Sequence, residues 1–238
     1  AWFDDEWARL QAAVDGALPD RMNLLSRGTE ASRVLVFSYS DTDPGSYHLL
    51  DPVARKLEFV AAAHREIRPG AMPARQPLRY RARDGLEIPA YLTLPKGREA
   101  RNLPLVVYVH GGPWVRGASW RWRDEAAYLA SLGYAVLEPE FRGSTGFGRK
   151  HFEAGWKQWG LAMQDDLDDG VEHLAKQGTI DPKRACIVGA SYGGYAVMMG
   201  LARDPGRWRC GINYVGVTDI NLMFDVTWSD SLDSDFLR

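Results

Sequence analysis

From Leu103 to Gly216, short apolar runs alternate with longer stretches of helical period, and no other feature constrains the fold as much. "LPLVVYVH" (103–110), "YAVLEPE" (134–140), "ACIVG" (185–189) and "CGINYVG" (210–216) read as strands. Between them "WRDEAAYLASLG", "LAMQDDLDDGVEHLAKQG", ending at Gly178, and "SYGGYAVMMGLARD" read as helices. Strands that alternate with helices in this way form a mainly parallel sheet covered on both faces, so the class is α/β.

The first third has a different period. Trp7, Leu10 and Val14 fall at helical spacing within residues 5–14, and "GALPD" stops that helix. "RVLVFSYS", "SYHLLD" and "KLEFVA" follow as short β-rich runs separated by the turn signals "DTDPG" and "DPVARK". They predict an antiparallel meander the size of one propeller blade. Three strands alone are marginal in water, so the meander is expected to belong to a larger β-structure. Residues 64–77, with Pro69, Pro73 and Pro77 and no apolar period, read as a linker. "PLRYRARDGLEIPAYLTLP" reads as a hairpin turning at Asp84-Gly85.

A formal net charge of -2 offers no electrostatic case for nucleic acid or for an anionic membrane surface. No apolar run approaches the roughly 18 residues of a membrane span. Cys186 and Cys210 lie in apolar runs and read as buried structural residues, a disulfide between them being possible but unsupported. The opening "AWFDDEWARLQ" is no signal peptide and lacks an initiator methionine, which suggests a segment of a longer protein. The compartment, cytoplasmic or periplasmic, is therefore left open.

The chemistry concentrates at Gly189-Ala190-Ser191-Tyr192-Gly193, which fits G-x-S-x-G between a strand and a helix. A sharp turn there exposes the serine oxygen, small residues two positions either side let neighbouring backbone pass, and the helix N-terminus presents unpaired N–H groups to a developing oxyanion. "VVYVHGGPW" (106–114) ends a strand in His110-Gly111-Gly112-Pro113, resembling segments whose backbone donates to an oxyanion. His110 is expected to shape that loop and not to act as the base. His48, His64, His151 and His173 read as structural or solvent-facing, and all five histidines precede Ser191. "DDLDD" (165–169) lacks a histidine or cysteine to complete a metal site and reads as a solvated acidic face. "FRGSTGFG" lacks the lysine of a phosphate loop.

With "ARDGLEIPAYLTLP", "HGGPW", "FRGSTGFG", "DDLDDGVEHL", "GASYGGYA" and "GINYVGVTDI" in this order, the chain resembles the prolyl oligopeptidase family of serine peptidases, particularly its acylaminoacyl-peptidase-like branch. The resemblance covers residues 77–221, with the meander matching more loosely the end of a β-propeller. It implies an α/β-hydrolase fold, incomplete here, over residues 78–238, preceded by the last strands of a propeller in residues 1–63. It also implies Ser191 as nucleophile, with oxyanion donors from the backbone N–H groups of Tyr192 and Gly112, supported by His110 and Gly111. No metal or organic cofactor is implied. The expected partner is a peptide substrate, with a homo-oligomer left open and neither nucleic acid nor membrane involved.

The family's Asp and His follow the serine. Only 47 residues follow Ser191 here, and Asp219, Asp225 and Asp230 come too early to match that Asp. The base is therefore expected beyond residue 238, and residues 1–238 alone are expected to be inactive. Two other readings compete with a serine peptidase: a carboxylesterase on the same fold, and a binding protein that kept the fold without the triad. The intact Ser191 and "HGGP" weigh against the second.

Overall fold

The computed structural model describes residues 4–27 and 33–222. Asp225 and Asp230 lie outside the described residues. Two compact units divide the chain, one formed by residues 1–75 and 120–127, the other by 76–119 and 128–238.

The first unit opens with helix α1 (Asp5–Ala17), whose N-cap Asp4 accepts from the backbone N–H groups of Glu6 and Trp7 at 2.9 and 3.0 Å. Four strands follow, β1 (Met22–Arg27), β2 (Val34–Tyr39), β3 (Ser46–Asp51) and β4 (Lys56–Ala62), paired in chain order and all antiparallel. Trp7, Leu10 and Val14 of α1 pack on Leu25, Val34, Val36 and Leu50, which point to one face by the two-residue period of a strand. The meander has one strand more than the sequence indicates. In β1, Met22 and Leu24 point outward while Asn23 and Leu25 are buried, so no apolar alternation announces it. The buried Asn23 donates Nδ2 to Asp15 Oδ1 (2.9 Å) and to the Leu18 carbonyl (3.1 Å).

The second unit is built on a six-stranded sheet in the order β10-β9-β7-β8-β6-β5. Its strands are β5 (Arg75–Arg81), β6 (Glu87–Thr93), β7 (Leu103–Val109), β8 (Ala135–Pro139), β9 (Ile180–Ala190) and β10 (Cys210–Tyr214). β5 thus begins inside the stretch that reads as linker. β8, β7, β9 and β10 run parallel, and β6 is antiparallel to β8. The intervening helices are α2 (Asp124–Ser131), α3 (Arg149–Glu153), α4 (Ala162–Lys176) and α5 (Tyr192–Arg203). Leu105, Val107 and Val109 of β7 lie on one face, and with Leu137 and Ile187 they form a core with Met163, Leu167, Val171 and Leu174 of α4 and Ala196 and Val197 of α5. Val106 and Val136 are buried on the opposite face, as a sheet covered on both sides requires.

Two expectations are corrected. Cys186 and Cys210 are joined in a disulfide. They are register partners on the adjacent parallel strands β9 and β10, with Cα atoms 4.7 Å apart, and only strand order could reveal that they are neighbours. Cys210 is also exposed, on a strand at the sheet edge.

Residues 165–169 are not a solvated acidic face either. Asp166 is fully buried and Asp168 is 7 % exposed. Asp165 and Asp169 pair with Arg83, Asp165 also pairs with Arg203, and Asp166 is held by Arg142. Four arginines from distant parts of the chain converge on this helix, Arg207 lying 3.6 Å from Asp168.

Burial pushes the Asp168 carboxyl up to about 6, despite the opposing pull of Arg207, Arg203 and Arg83. The folded state therefore holds a proton that the unfolded chain releases near pH 4, and stability falls as pH rises from about 4 to about 6. Asp168→Asn removes that loss. It should raise the stability of the encoded protein by about 1–2 kcal/mol at pH 8 and leave it nearly unchanged at pH 4, read as urea midpoints at both values. No gain at pH 8 would mean that the arginines compensate the burial.

Candidate active site

β9 ends at Ala190, α5 begins at Tyr192, and Ser191 between them has φ 56° and ψ −119°. A non-glycine residue in this region is strained, and the surrounding backbone leaves it no alternative. A Cβ on Gly189 would come within 2.5 Å of the Gly193 carbonyl, and one on Gly193 within 2.2 Å of the Val109 carbonyl oxygen. The strand and the helix approach so closely that both positions must be glycine. Three backbone bonds then hold the turn: Ser191 N–H donates to Tyr214 O (3.1 Å), while Ser191 O accepts from Tyr195 N–H (3.1 Å) and Val217 N–H (3.3 Å).

Ser191 is exposed, and its side chain makes no capping bond to α5. Tyr192 beside it is almost fully buried against Phe141, Trp159 and Tyr195, with ring centroids 4.7–5.8 Å apart. Burial pushes the Tyr192 phenol well above its ordinary range, so that side chain is a neutral packing group. Its backbone N–H stands at the first position of α5, where a helix offers no internal acceptor.

The 110–118 loop leaves the end of β7 and runs alongside the serine. A Cβ on Gly111 would lie 3.3 Å from Ser191 Cβ and 3.9 Å from Ser191 Oγ. Gly112 follows with φ +113°, a conformation that favours glycine. The loop then folds back on itself, since a Cβ on Gly117 would fall 2.0 Å from His110 Cδ2.

His110 is held within this loop. Its Nδ1 lies 2.6 Å from Gly111 O and therefore donates, its Nε2 lies 3.0 Å from Ser144 Oγ, and its ring stacks on Phe141 at 4.3 Å. The other four imidazoles are also engaged away from the serine: His151 Nε2 with Glu140 O and Phe141 O, His48 with Ser46, His64 with Glu66, and His173 with Gln177. His151 is buried, which lowers its pKa and makes it a neutral structural donor.

Two contributors have no role that the motifs assign. One is the Tyr214–Val217 segment, which bonds both sides of the Ser191 backbone. The other is Glu140, 1 % exposed, whose carboxylate accepts from the backbone of Gly117 (3.1 Å) and Ala118. The only signal in the sequence was an acid placed directly after an apolar strand.

The prolyl oligopeptidase family model matches residues 120–234. Among curated proteins, dipeptidyl aminopeptidase BIII of Pseudoxanthomonas mexicana is 34% identical over 237 residues, covering 93% of this chain and 34% of that protein. Dipeptidyl peptidase family member 6 of Caenorhabditis elegans is 31% identical over 232 residues, 89% of this chain and 31% of its own. Of solved structures, a puromycin hydrolase superposes with TM-score 0.72 at 27% identity, over 86% of this chain and 31% of that one. Pyrococcus horikoshii acylaminoacyl peptidase, at 24% identity and TM-score 0.67, shares the fold over 84% of this chain and 35% of its own. The expected α/β-hydrolase sheet preceded by propeller strands agrees with these likenesses. The chain spans about a third of the length of the relatives it matches.

Proposed function

Because the chain belongs to the prolyl oligopeptidase family, we propose that it supplies the nucleophile and oxyanion donors of a serine peptidase that hydrolyses short peptides, of the aminopeptidase or oligopeptidase type. The observation that carries this reading is Ser191, exposed and strained at the β9–α5 junction with Gly111 beside its oxygen.

In this reading Ser191 Oγ attacks the carbonyl carbon of the scissile bond and gives its proton to a histidine held by an aspartate, the pair that the family places after the serine. None of the five histidines of this chain follows Ser191. The backbone N–H groups of Tyr192 and Gly112 stabilise the oxyanion, and removal of one such donor typically costs about 10²–10³ in kcat. Collapse of the tetrahedral intermediate breaks the C–N bond, and the amine leaves with the proton from the imidazolium. Water then repeats the attack on the acyl-enzyme, releasing the carboxylic acid and restoring Ser191.

The test is covalent labelling of the protein encoded by the full reading frame with a fluorophosphonate, paired with peptide and ester turnover. The reading expects the label on Ser191 and hydrolysis of both substrates. Ester hydrolysis without peptide hydrolysis would make the protein a carboxylesterase. Absence of label on a folded protein would make it a non-catalytic member.

A further inference from the structure

Glu140 lies one residue past the end of β8, on the side of the sheet where β7 and β9 also end. A carboxylate buried at this depth is costly unless it is bonded, and its partners here all belong to the 110–118 loop. Oε2 accepts from Gly117 N–H at 3.1 Å, Oε1 accepts from Ala118 N–H, and Oε2 stands 3.8 Å from His110 Nε2. Glu140 thus holds the far end of the loop, while His110 at its start is held by Ser144 Oγ and stacked on Phe141. Val115 O accepts from Thr145 N–H at 3.1 Å, which ties the middle of the loop to the same post-β8 segment. Between these anchors lie Gly111, against Ser191, and Gly112.

We infer that Glu140 is a positioning residue that fixes the 110–118 loop, and with it the Gly112 N–H, through charge-assisted bonds from the Gly117 and Ala118 amides. The inference rests on the serine-hydrolase reading above. An ionised carboxylate accepts both amides without competition, whereas a carboxylic acid uses one oxygen as a donor. Protonation therefore loosens one end of the loop.

Burial raises the Glu140 pKa above the ordinary glutamate range. The groups that face it act in both directions: the Gly117 and Ala118 amides and the Arg116 charge pull its pKa down, Glu138 pushes it up, and His110 stands within 3.8 Å. Since burial leads, the loop should lose its anchor at a higher pH than an ordinary glutamate takes up its proton, and regain it as pH rises further.

The decisive experiment compares the encoded protein with Glu140→Gln, which has the shape of protonated glutamate. At pH 8 the variant should lose about tenfold or more in kcat with KM within about twofold, a fraction of what deletion of an oxyanion donor costs. The ratio of wild-type to variant kcat should fall toward one as pH drops, because wild-type Glu140 then carries the proton. Titration of the catalytic histidine is common to both proteins and cancels in that ratio. A ratio that stays flat with pH, in a variant that melts like wild type, would overturn the inference.

If the variant does not fold, hydrogen exchange of the peptide spanning 110–118 decides on wild-type protein alone. Protection of Gly117 and Ala118, corrected for intrinsic exchange, should drop over the same pH interval. Unchanged protection would overturn the inference. The exchange experiment needs no activity, so it separates a failure here from a failure of the peptidase reading, which Ser191→Ala tests by itself.

Discussion

Ser191→Ala in the protein encoded by the full reading frame should lower peptide turnover by about 10⁴-fold or more while leaving the melting temperature nearly unchanged. Loss of a nucleophile from a triad costs several orders of magnitude because the remaining groups act as a unit with it. The fold should tolerate the change. Ser191 is exposed, its hydroxyl caps no helix, and the bonds that hold the turn come from its backbone. The strain at φ 56° is borne equally by alanine, so neither state gains from the substitution. A residual rate above that of water would come from the oxyanion donors. Retention of most of the activity would remove Ser191 from the role of nucleophile.

The largest effect on stability is expected at Arg142. This side chain is 7 % exposed and donates to two carboxylates, to Asp84 at 2.7 and 3.1 Å and to Asp166 at 2.9 and 2.8 Å. Asp166 is fully buried, and burial drives its carboxyl up to about 6 even with the guanidinium and the Arg142 amide bonded to it. Arg142→Met leaves that carboxylate inside the protein with one amide as partner. Breaking a buried pair in this way typically costs about 3–5 kcal/mol, whereas Asp84, half-exposed, is resolvated at little cost.

The pH dependence carries the diagnosis. Without Arg142 the folded-state pKa of Asp166 rises further above its unfolded value, so the variant should lose stability steeply as pH rises through and beyond 6. Adding Asp166→Leu should restore much of the loss and flatten the profile. Urea midpoints at pH 5 and pH 8 for the two variants check this. A single variant with wild-type stability at pH 8 would show that the pair contributes little to the fold.

The elbow was legible because its chemistry is local. Gly189, Ser191 and Gly193 are adjacent in the chain, and the strain of a strand-to-helix turn selects residue types that a short motif can display. The parallel strands could be read for a similar reason, since a strand buried on both faces is continuously apolar, as "LPLVVYV" is. β1 could not be read, because its outward Met22 and Leu24 are as apolar as its inward Leu25.

By itself the sequence determined the order of the elements, the serine at the strand-to-helix turn and the glycines that admit it, all properties of neighbours along the chain. Tertiary structure alone decided which distant groups meet. It set β10 beside β9, which makes Cys186 and Cys210 a disulfide; it brought Arg83, Arg142, Arg203 and Arg207 onto one helix, which turns an acidic run into an ion-pair network; and it placed Glu140 under Gly117 and Ala118. The physical reason is common to all three. The state of a thiol or a carboxyl depends on what lies within a few ångströms and on how much water remains, and neither is encoded in the residues flanking it.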